Sequence, residues 1–287
     1  LPVTRLALAL LWLCHFLPLP LLRALGAAFG YLLYLLGAER RRVTHTNLAL
    51  CFPELGAGER RRLARRHFVA FGQSFLDRAL LWHASPARLQ RLIQVEGWDN
   101  LPRDGAPTLV LTPHFLGLDA GWSALTRDRP MLSVYSQQKN PHFNAALYAG
   151  RMRFNTPNLL SRQDGMRKVV KAMAEGRPFY YLPDMDFGPR DAIFVPFFGI
   201  PAATITGVAR LAALGKARVV PCIAEMTPRG YRVRLLPAWE HYPSGDVTAD
   251  TRRVNAFIES EVRRIPEQYY WVHKRFKTRP PGEARFY

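Results

Sequence analysis

Apolar and polar positions divide the chain into three stretches of different texture. From Leu6 to Leu22 every residue is apolar except His15, with Pro18 and Pro20 near the end; Arg23 interrupts, and Ala24 to Ala38 is apolar again, with Tyr31 and Tyr34 inside it. Each run is shorter than the roughly 20 residues that cross a bilayer comfortably, and together they exceed that length. The prolines set a bend, so the pattern predicts either one broken or tilted span or two helices dipping into one leaflet. A buried hairpin of a soluble protein has the same texture. Glu39-Arg40-Arg41-Arg42 follows in place of a small-residue cleavage site, which argues against a signal peptide and sets that end against anionic headgroups on the cytoplasmic side.

The second stretch is basic. Thr44 to Leu55 reads as a connector closed by Pro53 and Gly56, and Glu59 to Trp82 as a helix, because Leu63, Phe68, Phe71, Phe75, Ala79 and Trp82 recur at helical spacing. Arg60, Arg61, Arg62, Arg65 and Arg66 crowd its first two turns, as a solvated face or a contact with lipid phosphate.

After Ser85-Pro86, short strands alternate with helices. Strands are expected at Leu92–Val95, Thr108–Leu111, Met131–Tyr135, Phe179–Leu182, Val219–Ala224 and Tyr231–Leu236. Helices are expected at Leu118–Leu125, His142–Phe154, Gly165–Ala174, Thr206–Leu214 and Val254–Arg264. The fold class is therefore α/β, a central mixed sheet flanked by helices with an N-terminal hydrophobic, membrane-anchoring helical segment. The chain divides into an anchor over 1–38, a basic connector and amphipathic helix over 39–84, and an α/β domain over 85–287.

Composition narrows the partners. The 287 residues are 48% hydrophobic, which supplies a core, and 40 Lys and Arg against 22 Asp and Glu give a net charge of +18. That excess suits a polyanion: nucleic acid, anionic lipid, a phosphorylated substrate or an acidic protein. Cys14, Cys51 and Cys222 are far apart and form no CxxC or Cys/His set, so neither a zinc site nor a disulfide framework is indicated.

The candidate chemistry centres on Pro113-His114-Phe115-Leu116-Gly117-Leu118-Asp119, at the exit of the Thr108–Leu111 strand. An imidazole whose second nitrogen is held by a carboxylate keeps one tautomer and can take a proton from a hydroxyl at neutral pH. Asp119 is the nearest carboxylate in sequence. Five residues are about 140° on an ideal helix, so the two side chains meet only if the segment between them is irregular, which Gly117 makes cheap. Backbone N–H groups at the start of the following helix would face a developing anion.

Other polar clusters fall at strand ends, where ligands of open α/β sheets bind. Arg153, Arg162 and Arg190 are candidates to clamp phosphates, since guanidinium pairs bidentately with phosphate oxygens. Asp184 and Asp186 are candidates to bond a substrate hydroxyl or to position an arginine. No further ligand cluster accompanies them, so no metal is expected. The aromatic run Phe194-Val195-Pro196-Phe197-Phe198-Gly199 fits a wall for an acyl chain or ordinary core, and Gln268 to Arg279 interleaves aromatic and basic residues, as at a membrane interface or a nucleic-acid surface.

These pieces in this order resemble the lysophospholipid acyltransferase superfamily, specifically the late acyltransferases of bacterial lipid A biosynthesis, of the lauroyl or myristoyl type. The likeness runs through Asn47–Leu55, the His-x4-Asp at His114 and Asp119, Tyr180–Arg190, Phe194–Gly199, Pro266–Trp271 and Arg275–Pro280. It implies an enzyme of the cell inner membrane, on its cytoplasmic face, that needs no cofactor. It would move a fatty acyl group from acyl carrier protein to a hydroxyl of a Kdo-bearing, anionic lipid A precursor, with His114 as base, Asp119 as its partner and no nucleic-acid ligand. Pro113 departs from the Asn that often precedes this His in the wider superfamily. A glycerolipid acyltransferase and a non-catalytic, membrane-tethered binder of lipid or nucleic acid are the alternatives.

Overall fold

A computed structural model describes residues 2–161 and 164–287. The apolar N-terminus forms two helices, α1 (Pro2–Cys14) and α2 (Leu19–Leu36), joined at the Pro18 bend; α3 (Ala38–Cys51) and α4 (Ala57–His83) follow. The Thr44–Leu55 connector is thus a correction: its first eight residues are helical. Tertiary bonds reward that choice, because Asn47 is fully buried and its Nδ2 donates to the carbonyls of Trp271 at 2.7 Å and His273 at 2.8 Å.

Helix α2 lies against α4, with Gly26 and Gly30 facing Gly72 so closely that a methyl on Gly72 would collide with the Gly26 carbonyl and the Gly30 backbone. Arg23, the one charge in the apolar region, is drawn inward. Its Nε and Nη2 donate to Asp77 at 3.2 and 3.0 Å, Nη2 also donates to the Gly230 carbonyl at 2.9 Å, and Tyr231 donates to the same carboxylate oxygen at 2.6 Å. A guanidinium removed from water must be paired; this one ties α2 to α4 and to the sheet.

The rest is an α/β sandwich. In chain order come α5 (Pro86–Leu92), β1 (Ile93–Glu96), β2 (Thr108–Leu111), α6 (Leu118–Asp128), β3 (Leu132–Tyr135), α7 (Pro141–Arg151), β4 (Asn158–Ser161) and α8 (Met166–Ala174). Then follow β5 (Phe179–Tyr181), β6 (Ala192–Phe197), β7 (Ile200–Ile205), α9 (Gly207–Gly215), β8 (Arg218–Thr227), β9 (Gly230–Leu235) and α10 (Val247–Arg264). The main sheet has the order β1-β9-β8-β2-β5-β3-β4, parallel throughout except for the β8–β9 pair, which confirms the mixed α/β class.

Alternation along the strands builds two cores. Leu109, Leu111, Phe179, Val219 and Ile223 pack with residues of α8, α9 and α10 on one face, and Val110, Tyr180, Val220 and Cys222 with α6, α1 and the end of α4 on the other. The β6–β7 hairpin and the short strand β4 are additions to the expected elements. Within the aromatic run, Val195 and Phe197 are fully buried in the core and Phe198 is half-buried, while Phe194, Pro196 and Gly199 are exposed, so the run is the edge of the core rather than a continuous wall.

Gly72→Ala is expected to push α2 off α4 and lower stability by about 1–3 kcal/mol, read as a lower melting temperature in detergent solution. Gly58→Ala, in the same helix but facing no more than the tip of Arg62, should leave it unchanged or raise it; equal melting of the two variants would contradict the close helix approach.

Candidate active site

The parallel pairing of β2 and β5 sets Leu111 opposite Tyr181, and the Thr112 amide donates to the Tyr181 carbonyl at 2.9 Å. His114 and Asp184 each lie three residues beyond those partners, so register delivers both to the same height at the carboxyl edge of the sheet. The His114 Nδ1 is 2.7 Å from Asp184 Oδ1, and the His114 amide donates to Oδ2 at 2.9 Å. One carboxylate therefore fixes both the ring and the backbone of the histidine.

Burial by itself would push the Asp184 carboxyl up, but the His114 charge and hydrogen bonds, with Arg275 behind them, hold it below the usual carboxylate range. An ionised carboxylate only accepts, so Nδ1 is the nitrogen that donates and Nε2 is the one left facing away from the carboxylate. The imidazole is partly exposed and Asp184 fully buried, the arrangement of a base oriented from behind.

A strap late in the chain closes the far side. The Tyr270 amide donates to the His114 carbonyl at 3.0 Å, the Leu116 amide donates to the Gln268 carbonyl at 2.8 Å, and Phe115 bridges to Tyr269 in antiparallel fashion. Gln268 anchors the strap by exchanging bonds with the Met226 backbone at 2.7 and 2.9 Å. Arg275 is buried and donates to the Ala203 carbonyl at 2.9 Å and to Thr204 Oγ1 at 3.0 Å.

Asp119 is not the partner of His114, which corrects the expected pairing. It sits in the first turn of α6, where helical geometry turns it away from the loop, and its carboxylate is buried between Arg151, at 2.8 Å, and Arg78, at 3.1 Å. Burial works against its ionisation; Arg151 and then Arg78 overcome it and hold the carboxyl below its ordinary value. Gly117 serves a different purpose from the one expected: a Cβ there would strike the Ala224 carbonyl of β8, so glycine lets the loop lie on the sheet.

The amides of residues 114, 115 and 116 in the loop and of 118, 120 and 121 at the start of α6 all donate within the protein, so most of the N–H groups there are engaged rather than open to an anion. The charge available there is instead the net positive Arg78–Asp119–Arg151 cluster. Neither arginine carries a sequence signal of its own.

The remaining expected residues divide. Asp186 is buried and accepts from the Thr278 amide at 2.6 Å, Thr278 Oγ1 at 2.8 Å and the Gly188 amide at 2.9 Å, which fasten the strap and leave little of the carboxylate for a ligand. Arg153 caps the end of α4 by donating to the carbonyls of Leu81, at 3.0 Å, and Ala84 rather than reaching toward His114. Arg190 is exposed, with no ionic partner among the described residues; Arg162 lies outside them. Sets of three or more metal-ligating side chains are absent among the described residues. A cavity of about 10 Å³, the room of one water, adjoins His114, Asp184, Asn47 and Arg275, whereas one of about 690 Å³ opens beside the last turn of α6, at the other end of that helix.

Residues 2–278 match the family profile described as bacterial lipid A biosynthesis acyltransferase. A lipid A biosynthesis lauroyltransferase of Escherichia coli (strain K12) is 34% identical over 98% of this chain and 93% of its own, and a lipid A biosynthesis palmitoleoyltransferase of the same organism 32% identical over 99% and 94%. The solved 1-acyl-sn-glycerophosphate acyltransferase of Thermotoga maritima covers 85% of this chain and 96% of its own at a TM-score of 0.39 and 15% identity, too loose a likeness to argue from.

Two buried histidines make acid stability a test of the site. The His67 Nδ1 donates to the Glu267 carbonyl at 3.0 Å, and the His273 Nε2 accepts from the Asp186 amide at 3.0 Å. Burial lowers each from 6.5 to about 4, with His114 and Arg275 adding to the effect at His273. The unfolded chain then binds protons that the folded one refuses, so stability should fall as pH drops from 6.5 toward 4, by up to about 1.4 kcal/mol per pH unit for each histidine. The depressed carboxyls of Asp119 and Asp184 act in the same direction only below the ordinary carboxylate range. Urea midpoints that stay flat between pH 6.5 and 4 would contradict the buried neutral state.

Proposed function

The chain belongs to the bacterial lipid A biosynthesis acyltransferase family, and from that membership and the His114–Asp184 geometry we propose a general-base acyl transfer from acyl carrier protein to a Kdo-bearing lipid A precursor. The accepting group is the 3-hydroxyl of an acyl chain already on the sugar. His114 Nε2 takes the hydroxyl proton and the alkoxide adds to the thioester carbonyl. Collapse of the tetrahedral adduct forms the ester and expels the carrier thiolate, which recovers the proton from His114. Asp184 holds the Nδ1 tautomer and stabilises the transient imidazolium. The Arg78–Asp119–Arg151 cluster supplies positive charge for the oxyanion or for a phosphate of the acceptor. Asp119 thus keeps a part in the reaction as the residue that aligns two arginines.

The observation that carries this reading is the 2.7 Å His114–Asp184 contact, on a partly exposed ring backed by a fully buried carboxylate. His114→Ala and Asp184→Asn should each lower the transfer rate by about 10²–10⁴ while the melting temperature of His114→Ala holds. The assay follows the lipid product by mass spectrometry with a mixture of carrier thioesters. Acylation of lysophosphatidate in preference to the lipid A precursor would instead assign the same machinery to a glycerolipid, and an undiminished rate in His114→Ala would remove the base.

The acceptor is a lipid, and the chain presents a surface for one. Leu6, Leu10 and Leu13 of α1 and Leu25, Leu32 and Leu35 of α2 are exposed, and α2 is long and apolar enough to cross a membrane. Its length lies along α4, however, which carries Arg65, Arg66, Asp77 and Arg78 and cannot enter hydrocarbon with it. We therefore assign α1 and α2 to one leaflet of the cytoplasmic face of the inner membrane, Leu side outward, with the sheet in water. A Leu6→Glu/Leu10→Glu/Leu13→Glu variant should lose about tenfold or more in partitioning to vesicles with an unaltered melting temperature; full sedimentation of that variant with vesicles would oppose the assignment.

A further inference from the structure

A second basic surface lies on the face of the sheet opposite α1. Arg167 and Lys171 of α8 are exposed and have no ionic partner among the described residues, whereas Lys168 between them is matched by Asp164. On α9, Arg210 is half exposed with Asp191 only at 3.9 Å, and Leu214, one turn further on the same side, is 65% exposed. Helices α8 and α9 pack on each other. Six charges and one large leucine are therefore displayed together, with cations in excess.

The placement is informative in two ways. Helix α8 connects the parallel strands β4 and β5, so it begins near the carboxyl edge of the sheet; α9 begins at Gly207, which packs on the ring of Tyr181, the last residue of β5. Both first turns thus open on the edge that holds His114 and Asp184. The core beneath α8 and α9 is on the face of the sheet away from α1, so a bilayer held by the α1 surface does not neutralise these cations.

We propose that the outer face of α8 and α9 docks the acidic acyl carrier protein, with Arg167, Lys171 and Arg210 against its carboxylates and Leu214 as the apolar contact. The proposal rests on the donor assigned above. A long thioester arm of a carrier seated there reaches the sheet edge from the aqueous side, while the lipid acceptor arrives from the side of α1 and α2. Exposed cations contribute chiefly to encounter and orientation, so the effect belongs in KM and in its salt dependence.

The test reverses Arg167, Lys171 and Arg210 to Glu in the full chain and compares two donors, the acylated carrier protein and a small acyl thioester of N-acetylcysteamine. The expected result is a KM for the carrier raised about tenfold or more, with the salt dependence flattened, the kinetics with the small thioester held within about twofold, and the melting temperature preserved. Arg61→Glu/Arg62→Glu, on the α4 side, should leave the carrier KM in place. An unchanged carrier KM in the triple variant overturns the docking face while the donor stands. Wild-type protein that uses the small thioester but never the carrier overturns the donor assignment and the face together. Equal binding of a duplex DNA oligonucleotide, lost with the same three reversals, reassigns the surface to polyanions at large.

Discussion

The parallel pairing of β2 with β5 is the constraint on which the site depends. Neither His114 nor Asp184 has a local reason to find the other, since 70 residues separate them. A slip of one residue would displace one partner by about 3.3 Å and reverse its side, which is more than a 2.7 Å hydrogen bond tolerates. The all-buried strand β2, with Val110 in one core and Leu109 and Leu111 in the other, forbids that slip. Hydrophobic packing at the centre of the sheet thus sets the geometry of a histidine–carboxylate pair at its rim, and the strap through Gln268 and Tyr270 ties the loop down from the other side.

Much of the fold was legible because period and punctuation agreed. Apolar runs bounded by Gly, Pro and Asp marked β2, β5, β8 and β9, and helical spacing marked α4. The elements that escaped are those whose stability is tertiary. The last turns of α3 exist because buried Asn47 finds two carbonyls of the strap, and β4 is a four-residue edge strand that no local pattern distinguishes from a loop. The His114 loop itself was readable from a strand followed by Pro, His and Gly.

The site was readable as a list of residues but not as pairings. Asp119 is nearer in sequence, and Asp184 won because strand order, which one sequence does not reveal, made it nearer in space. Once β2 and β5 are known to be neighbours, the equal offsets of His114 and Asp184 from their strand ends identify the pair. Arg78 and Arg151 were missed for a related reason: each belongs to an ordinary amphipathic helix, and only their convergence on Asp119 marks them. Asp186 and Arg153 were overvalued because a polar residue at a strand or helix end can serve the backbone as readily as a ligand, and here both do.

Arg23 links these two halves of the molecule. Buried between Asp77 and the β8–β9 turn, it makes α2 a rigid outrigger of the sheet rather than a tether. In the membrane-bound state proposed above, the position of His114 relative to the α1–α2 surface is then set by side-chain packing and not by a flexible linker. For that state, a lipid acceptor would have to meet the imidazole at the height above the α1–α2 surface that this packing sets.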